Sequence, residues 1–464
     1  MRTFGEVYFS LFLNLMAIPL KTEKLIIEKD NMRIDQLFVQ NFKGFEHKTI
    51  NFSPQFNVLS GDNATGKTAI LDALTIGLSA LFQGFDNISS RPIKSDEMRH
   101  IGYQMGAELK LEPQPPAIVR CSGEVVETRM SWECSLAKSE KSRTTYKNAK
   151  PIIDKAKQLL ERVRTGDKSL ILPVLSYYGT GRLWIQKTER LKTIKPNSRL
   201  SEYKGCLEPA SDEKRLLRWL KTMEIAALQR KVSIGVLEGL RAAVKNCLEG
   251  CESVYFDIPH DKLIATLANE QILPTKMLSD GQRITLGMVA DIAHKAASLN
   301  PQLENQAAIE TPGVVLIDEI DLHLHPNWQR KIINSLKTTF PKIQFIATTH
   351  SPFIIQSLRE GELIDLNDSE PAEYEDQSIE DIAEYQMGVK IPQRSQRYLE
   401  MMATAKEYYH VLEQAKEAPS DEIKRLENRL DQLSAPFSDN IAYHAFLEMQ
   451  REAAGLRRKS DESH

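Results

Sequence analysis

The stretch "GDNATGKT", residues 61–68, decides the fold. It matches the pattern G-x-x-x-x-G-K-[ST], a glycine-rich loop that binds phosphate through its backbone N–H groups. The preceding segment "FNVLS" predicts a strand, and the apolar spacing of the following "KTAILDALTIGLSALF" predicts a helix. Chance alone produces the bare pattern in about one or two chains of this length per hundred. The strand-loop-helix context therefore makes it the strongest functional signal in the sequence.

The residues of this Walker A loop have separate predicted roles. Gly61 and Gly66 let the backbone turn so that successive N–H groups face inward at a helix N-terminus. Lys67 is expected to contact the β and γ phosphates of ATP, and Thr68 to place its hydroxyl on Mg²⁺. The predicted ATP-binding residues are Gly61, Asp62, Asn63, Ala64, Thr65, Gly66, Lys67 and Thr68.

A second signal is the segment "GVVLIDEID" at 313–321, an apolar strand that ends in consecutive acids. Burying carboxylates is costly unless a cation or a hydrogen-bond donor meets them, so this placement favours a function. Asp318 is predicted to hold Mg²⁺, and Glu319 to polarise the attacking water as a general base. A surface strand-to-loop transition is the alternative interpretation for such a pair of acids.

Another apolar strand, "IQFIATT", is followed directly by His350. In a parallel sheet the carboxyl ends of the strands meet at one edge, so His350 is expected near the two acids. We predict that it senses the γ-phosphate and orients the attacking water. His323 and His325, which alternate along the intervening segment, are interpreted as loop residues.

Composition limits the possible functions. The chain has 464 residues, 41% hydrophobic and 27% charged, which is typical of a globular cytoplasmic protein of two or three packed units. Its net charge of −3 disfavours a general DNA-coating role, and any contact with nucleic acid would need a local basic patch. Five scattered cysteines without a C-x-x-C pair predict reduced, structural thiols.

Three regions are predicted along the chain. Residues 1–31 are an N-terminal extension, whose apolar stretch is shorter than the roughly 20 residues of a bilayer span. Residues 32–367 form the ATP-binding head, with a helical insertion at about 211–250. Residues 368–464 follow an acidic stretch and form a helical region that we expect to bind a partner.

The motifs occur in an order that resembles ABC-type ATPases of the SMC-like and RecF-like group, and most closely the compact AAA-type defence ATPases. The motifs, in chain order, are "GDNATGKT", "LSDGQR", "LIDEID", "HLHP" and "TTHSP". The segments "LPVLSYYGTGRLW" and "NIAYHAFLEMQREAAG" are similar to ATPase subunits of the Septu anti-phage system.

This resemblance implies an α/β fold: an ABC-type (SMC/RecF-like) P-loop head with a mostly parallel RecA-like sheet, flanking antiparallel strands, a helical insertion and a helical C-terminal region. "LSDGQR" at 278–283 corresponds to the signature motif, which contacts ATP bound to a second copy of the chain. Lys43, in "NFKGF", corresponds to a basic residue that touches the nucleotide phosphates. Neither Gln83 nor Gln104 lies at the end of a predicted strand, so the Q-loop glutamine is not identified. The implied signature residues are Ser279, Asp280, Gly281 and Gln282.

The resemblance also implies partners. Two copies, or a higher oligomer, are expected to sandwich ATP and Mg²⁺, and a separate HNH nuclease subunit is expected to bind the ATPase. Nucleic acid is then contacted through the complex, and no membrane is involved. A RecF-like or SMC-like DNA-repair ATPase is the main alternative, but it predicts a long coiled coil or a basic face that the sequence lacks. A nuclease with a fused Toprim domain is disfavoured because the chain after His350 is short and predicts helices.

Overall fold

The computed structural model describes residues 32–105, 108–138, 142–181, 198–209, 213–367, 377–389, 392, 394–417, 420–437 and 439–454. The chain forms two compact units, which divide between Gln377 and Ser378. The predicted N-terminal extension, residues 1–31, lies outside the described residues.

The described part of the first unit contains fourteen strands. They are β1 (Met32–Phe42), β2 (Phe45–Asn51), β3 (Phe56–Ser60), β4 (His100–Met105), β5 (Glu108–Pro113), β6 (Ala117–Val125), β7 (Thr128–Leu136), β8 (Val174–Tyr178), β9 (Cys251–Asp257), β10 (Lys262–Leu267), β11 (Ile272–Pro274), β12 (Gly313–Ile317), β13 (Ile343–Thr348) and β14 (Leu363–Asp365).

Twelve α-helices lie in the described residues, the first eight in the first unit and the last four in the second. They are α1 (Lys67–Ser79), α2 (Lys150–Arg164), α3 (Glu213–Arg230), α4 (Gly235–Cys247), α5 (Asp280–Leu299), α6 (Ala307–Glu310), α7 (Pro326–Thr339), α8 (Pro352–Gln356), α9 (Ile379–Asp381), α10 (Gln396–Glu417), α11 (Ser420–Ser434) and α12 (Ile441–Ala453).

A five-stranded parallel sheet, in the order β14-β3-β13-β12-β8, is the centre of the first unit. Every residue of β3, β8, β12 and β13 is buried, as expected for parallel strands covered on both faces. The register pairs Ile317 with Ala347 on one side and with Tyr178 on the other. The segments that follow β3, β12 and β13 therefore leave the sheet at the same edge, and this edge carries the predicted site.

A four-stranded antiparallel sheet, in the order β2-β1-β6-β7, flanks the parallel sheet. Burial alternates along β6 because one face of this sheet packs inward. The Trp132 indole donates a hydrogen bond of 2.8 Å to the carbonyl of Gly77 in α1. The buried Gln344 amide of β13 exchanges two 2.8 Å hydrogen bonds with the backbone of Ile34 in β1. The predicted α/β class with flanking antiparallel strands is confirmed.

The predicted helical insertion consists of α3 and α4, with a break at Lys231, whose φ is 52°. The antiparallel sheet β11-β10-β9 follows it and is not predicted by the sequence pattern. Its strands are short and only partly buried, so their apolar pattern is weak. The sheet lies in the chain immediately before the signature segment.

The second unit is helical, as predicted, and has a core of its own. Its buried core residues are Tyr408, Val411, Leu412, Ala415, Leu430 and Leu447, which come from α10, α11 and α12. The five cysteines of the chain, all in the first unit, are buried and form no disulfide. Within the described ranges, no helix is both long enough and apolar enough to cross a bilayer.

Candidate nucleotide site

The phosphate loop joins β3 to α1 and depends on its two glycines. Gly61 has φ 145° and Gly66 has φ 96°, values that other residues rarely adopt. A Cβ atom on Gly66 would lie 2.4 Å from the Phe45 ring, and one on Gly61 would lie 2.8 Å from the Thr65 hydroxyl. Both glycines are therefore required by backbone conformation and by space.

The ammonium group of Lys67 lies inside this loop. Its Nζ atom donates hydrogen bonds of 2.6 Å to the Gly61 carbonyl and 2.9 Å to the Asp62 carbonyl, and the residue is 8% exposed. Burial lowers the pKa of Lys67, and the nearby carboxylates of Asp62, Asp318 and Glu319 oppose that change. A triphosphate bound to the loop would provide the counter-charge for this partly desolvated cation.

Thr68 and Asp318 meet at the edge of the sheet. The Thr68 hydroxyl, which is exposed, donates to Oδ2 of Asp318 at 3.3 Å. Asp318 is 6% exposed, and its own N–H donates to the Tyr178 carbonyl at 2.8 Å. A hydroxyl and a carboxylate are hard oxygen ligands of the kind that Mg²⁺ prefers. The two residues predicted to hold Mg²⁺ are therefore adjacent and chemically suited to it.

Thr348 connects Asp318, the predicted Mg²⁺ ligand, to Glu319, the predicted general base. Its buried hydroxyl donates to Oδ1 of Asp318 at 2.7 Å and accepts from the backbone N–H of Glu319 at 2.7 Å. No motif in the sequence identifies Thr348 as a site residue. The sequence shows only that a residue with a hydroxyl group lies at the end of the buried strand β13. The structure shows that β13 pairs with β12, the strand that precedes both acids. Thr348 therefore holds the carboxylate of Asp318 and the backbone of Glu319.

The backbone is strained where the chain leaves β12. Glu319 has φ 50° and His323 has φ 61°, both in the left-handed region that residues other than glycine seldom occupy. Such outliers cluster at functional sites because the surrounding structure has to hold them. The half-buried Glu319 therefore occupies a position compatible with the predicted general base.

His350 is exposed and follows β13 at the same edge. Its backbone N–H donates to Oδ1 of Asp321 at 3.4 Å, and the Thr349 hydroxyl donates to the same oxygen at 2.5 Å. Asp321, which was not assigned a role from the sequence, thus connects the segment after β12 to the segment after β13. The ring nitrogen of His325 accepts from the Asn327 N–H at 3.3 Å and caps α7, which agrees with its interpretation as a loop residue.

Lys43 has other partners in this structure. Its ammonium pairs with the carboxylate of Asp72 in α1 and lies 3.9 Å from Glu97. Arg91 bridges the same two acids at 2.9 and 2.7 Å. A contact between Lys43 and a phosphate would require its ion pair with Asp72 to open.

The signature segment forms the capped start of α5. The Ser279 hydroxyl accepts from the Gln282 N–H at 3.3 Å, and the Gln282 side chain accepts from the Ser279 N–H at 3.1 Å. Ser279 and Asp280 are exposed. An exposed N-terminus of a long helix is electrostatically suited to an anion. This start of α5 is therefore compatible with the predicted contact to a phosphate bound by a second copy.

Gly281 packs against the segment that follows β12. A Cβ atom on Gly281 would lie 2.6 Å from the carbonyl oxygen of His323. Gly281→Ala should therefore displace the start of α5, leave ATP binding by the subunit unchanged and weaken ATP-dependent dimerisation. Sedimentation velocity with ATP and Mg²⁺ measures the effect. Gly287→Ala, in the same helix with open space around it, is the matched control; equal dimerisation of both variants would contradict the prediction.

The first unit carries a phosphate loop after β3, paired acids after β12, a histidine after β13 and the exposed, capped start of α5. The fold and the site are together similar to those of AAA-type, ABC/SMC-like ATPases.

Comparisons with known proteins show what the chain is similar to. Residues 36–252 match the family model of an AAA domain. The chain is 25% identical over 401 residues to the retron Ec83 probable ATPase of Escherichia coli. The alignment covers 72% of this chain and 71% of the relative. The chain is 42% identical over 96 residues to the Septu protein PtuA of Bacillus mycoides. This alignment covers 21% of this chain and 13% of PtuA. The SMC head domain from Thermotoga maritima superposes with a TM-score of 0.41 and 16% identity, covering 72% of this chain and 94% of that domain.

Proposed function

We propose that this ATPase is the sensor and scaffold subunit of a bacterial anti-phage defence complex and that it controls a separate HNH nuclease. The observation that carries the proposal is the segment that is 42% identical to Septu protein PtuA. The similarity over most of the chain to a retron ATPase supports the same assignment. The site on the head supplies the ATP-dependent part of this function.

In a dimer, each ATP would be bound between the two copies. Each of these composite sites would take most of its groups from one copy. Lys67 and the loop N–H groups bind the phosphates, while Thr68 and Asp318 hold Mg²⁺. Mg²⁺, when bound there, would neutralise charge on the phosphate oxygens. Glu319 accepts a proton from the attacking water, and His350 orients that water against the γ-phosphate. Catalysis of this kind depends on positioning and electrostatics more than on covalent chemistry.

The second copy would contribute its signature segment. The Ser279 hydroxyl, which now donates to the Gln282 side chain at 3.1 Å, would exchange that acceptor for a γ-phosphate oxygen. The N–H groups at the start of α5 would add their partial positive charge. ATP would then hold two subunits together, and hydrolysis would release them.

Ser279→Arg should abolish ATP-dependent dimerisation and leave ATP binding by each subunit intact, because the long cation would occupy the space of the partner's phosphate. Dimerisation is measured by light scattering with ATP and Mg²⁺, and binding by titration with a fluorescent ATP analogue. Ser378→Arg is the control, since Ser378 is also an exposed serine that caps a helix. A Ser279→Arg protein that dimerises like Ser378→Arg would argue against the trans role.

For the nuclease contact we propose the C-terminal region, residues 368–464. Helix α12 exposes large apolar side chains on its surface, which supports this choice. They are Ile441 at 83%, Phe446 at 46% and Met449 at 57% exposed.

The defence function is tested by expressing the gene with and without an HNH nuclease gene encoded beside it. We expect phage plaquing to fall only when both genes are present, and the two proteins to co-purify. If the neighbouring genes are replication genes, and deletion sensitises cells to DNA damage without changing plaquing, the RecF-like or SMC-like repair alternative replaces the proposal.

A further inference from the structure

Buried polar contacts attach the signature helix α5 to the edge strand β8. The Tyr178 hydroxyl donates to Oδ2 of Asp291 at 2.7 Å, and the Lys295 ammonium donates to the same oxygen at 2.6 Å. Lys295 also donates to the Ser176 hydroxyl at 2.9 Å. Tyr178 is 5% exposed, and the side chains of Asp291 and Lys295 are 18% and 14% exposed. Two residues of the helix are thus bonded to two residues of the strand.

Tyr178 belongs to this group and to the nucleotide site at once. It is the last residue of β8, and its carbonyl accepts the backbone N–H of Asp318 at 2.8 Å. Its hydroxyl, at the other end of the same residue, donates to Asp291 in α5. A single residue therefore lies between the predicted Mg²⁺ ligand and the helix that begins at the signature segment.

The chemistry of these contacts favours one position of the helix. Burial raises the pKa of Asp291, but Lys295 and the hydrogen bonds outweigh that effect, so its pKa falls below the usual value and the carboxylate stays charged. A buried ion pair is a weak source of stability compared with apolar packing, yet it defines register because its members must be paired. Sliding of α5 along β8 by one turn, about 5.4 Å, would separate Asp291 from Tyr178.

We propose that Tyr178 is a positioning residue that holds the signature helix in register with the magnesium-binding strand of the same subunit. The inference rests on the proposed ATP sandwich, because Ser279 serves the site of the other copy. In such a dimer, Asp318 serves one composite site and Ser279 of the same subunit serves the other. The distance between these two residues within one subunit therefore decides whether both composite sites can close at the same time. Tyr178 sets that distance without touching ATP.

The test is Tyr178→Phe, which removes the hydroxyl and keeps the ring. We expect the affinity of the single subunit for ATP to stay within about twofold, and kcat for ATP hydrolysis to fall about tenfold, the effect of losing one hydrogen bond to a charged group. Tyr203→Phe is the matched control. Tyr203 is also buried, but its hydroxyl donates to a backbone carbonyl, that of Pro173, at 2.8 Å.

Thermal unfolding of both variants separates positioning from stability. Both should unfold at a somewhat lower temperature, whereas only Tyr178→Phe should lose kcat. An unchanged kcat in Tyr178→Phe, or an equal loss of kcat in the two variants, would overturn the inference.

A second measurement distinguishes this inference from the dimer model. ATP-dependent dimerisation is compared between Glu319→Gln and the double variant Tyr178→Phe, Glu319→Gln. Weaker dimerisation of the double variant, by about tenfold, supports the inference. Equal dimerisation refutes the role of Tyr178 and leaves the sandwich intact, whereas failure of Glu319→Gln to dimerise refutes the sandwich and this inference with it.

Discussion

Glu319→Gln should lower the rate of ATP hydrolysis by about a hundredfold or more while ATP binding is retained, because the amide cannot accept the proton of the attacking water. The substitution keeps the shape of the side chain, and the hydrogen bond to Thr348 is made by the backbone N–H and survives. Bound ATP should therefore persist and hold two subunits together. Phosphate release measures the rate, and sedimentation velocity measures the dimer.

Glu304→Gln is the control for this variant. Glu304 is an exposed glutamate in the same unit that also has a positive φ, 48°, so the control reproduces the residue type and the sign of φ. It should hydrolyse ATP at the unmodified rate. The role of Glu319 as general base fails if its variant retains that rate, and the sandwich fails if the variant stays monomeric with ATP and Mg²⁺.

Lys67→Ala should weaken ATP binding by about a hundredfold or more. The substitution removes the only side-chain cation that the structure, within its described residues, places on the carbonyls of Gly61 and Asp62. Hydrogen bonds between charged groups are each worth about 1.5–3 kcal/mol, and the ammonium is expected to contact two phosphates. Isothermal titration with ATP and Mg²⁺ measures the loss.

Lys337→Ala provides the matched control for Lys67→Ala. Lys337 is also largely buried, but its ammonium pairs with Glu362 at 2.5 Å. We expect this control to unfold at a lower temperature and to bind ATP normally. Equal losses of affinity in the two variants would show that Lys67 acts through folding rather than through the phosphates.

Much of the fold was predictable because its signals are local. The loop at 61–68 has its glycines where the backbone needs them, and continuous apolar runs predicted the buried strands β3, β12 and β13. Since parallel strands end at a common edge, the predicted parallel sheet placed His350 at the same edge as Asp318 and Glu319. The short sheet β9 to β11 was missed, because three partly buried strands have little periodicity.

Other parts of the site could not be predicted because they are contacts between segments far apart in the chain. Thr348 bonds Asp318 across thirty positions, and Tyr178 bonds Asp291 across more than a hundred. In the sequence, Gly281 is one residue of the signature motif. Only the structure shows that it lies close to the carbonyl group of His323. Nothing near any of these residues in the sequence indicates its partner.

The sequence by itself determined the class of chemistry, because a phosphate loop, a pair of acids at a strand end and a signature segment each require particular residue types at fixed spacing. The tertiary structure alone decided how these parts are held together: Thr348 between Asp318 and Glu319, Asp321 between two loops, and Tyr178 between Asp318 and the signature helix. The physical reason is that ligand-binding residues are specified by local backbone and side-chain chemistry, whereas the residues that position them are specified by the packing of strands and helices distant in the chain.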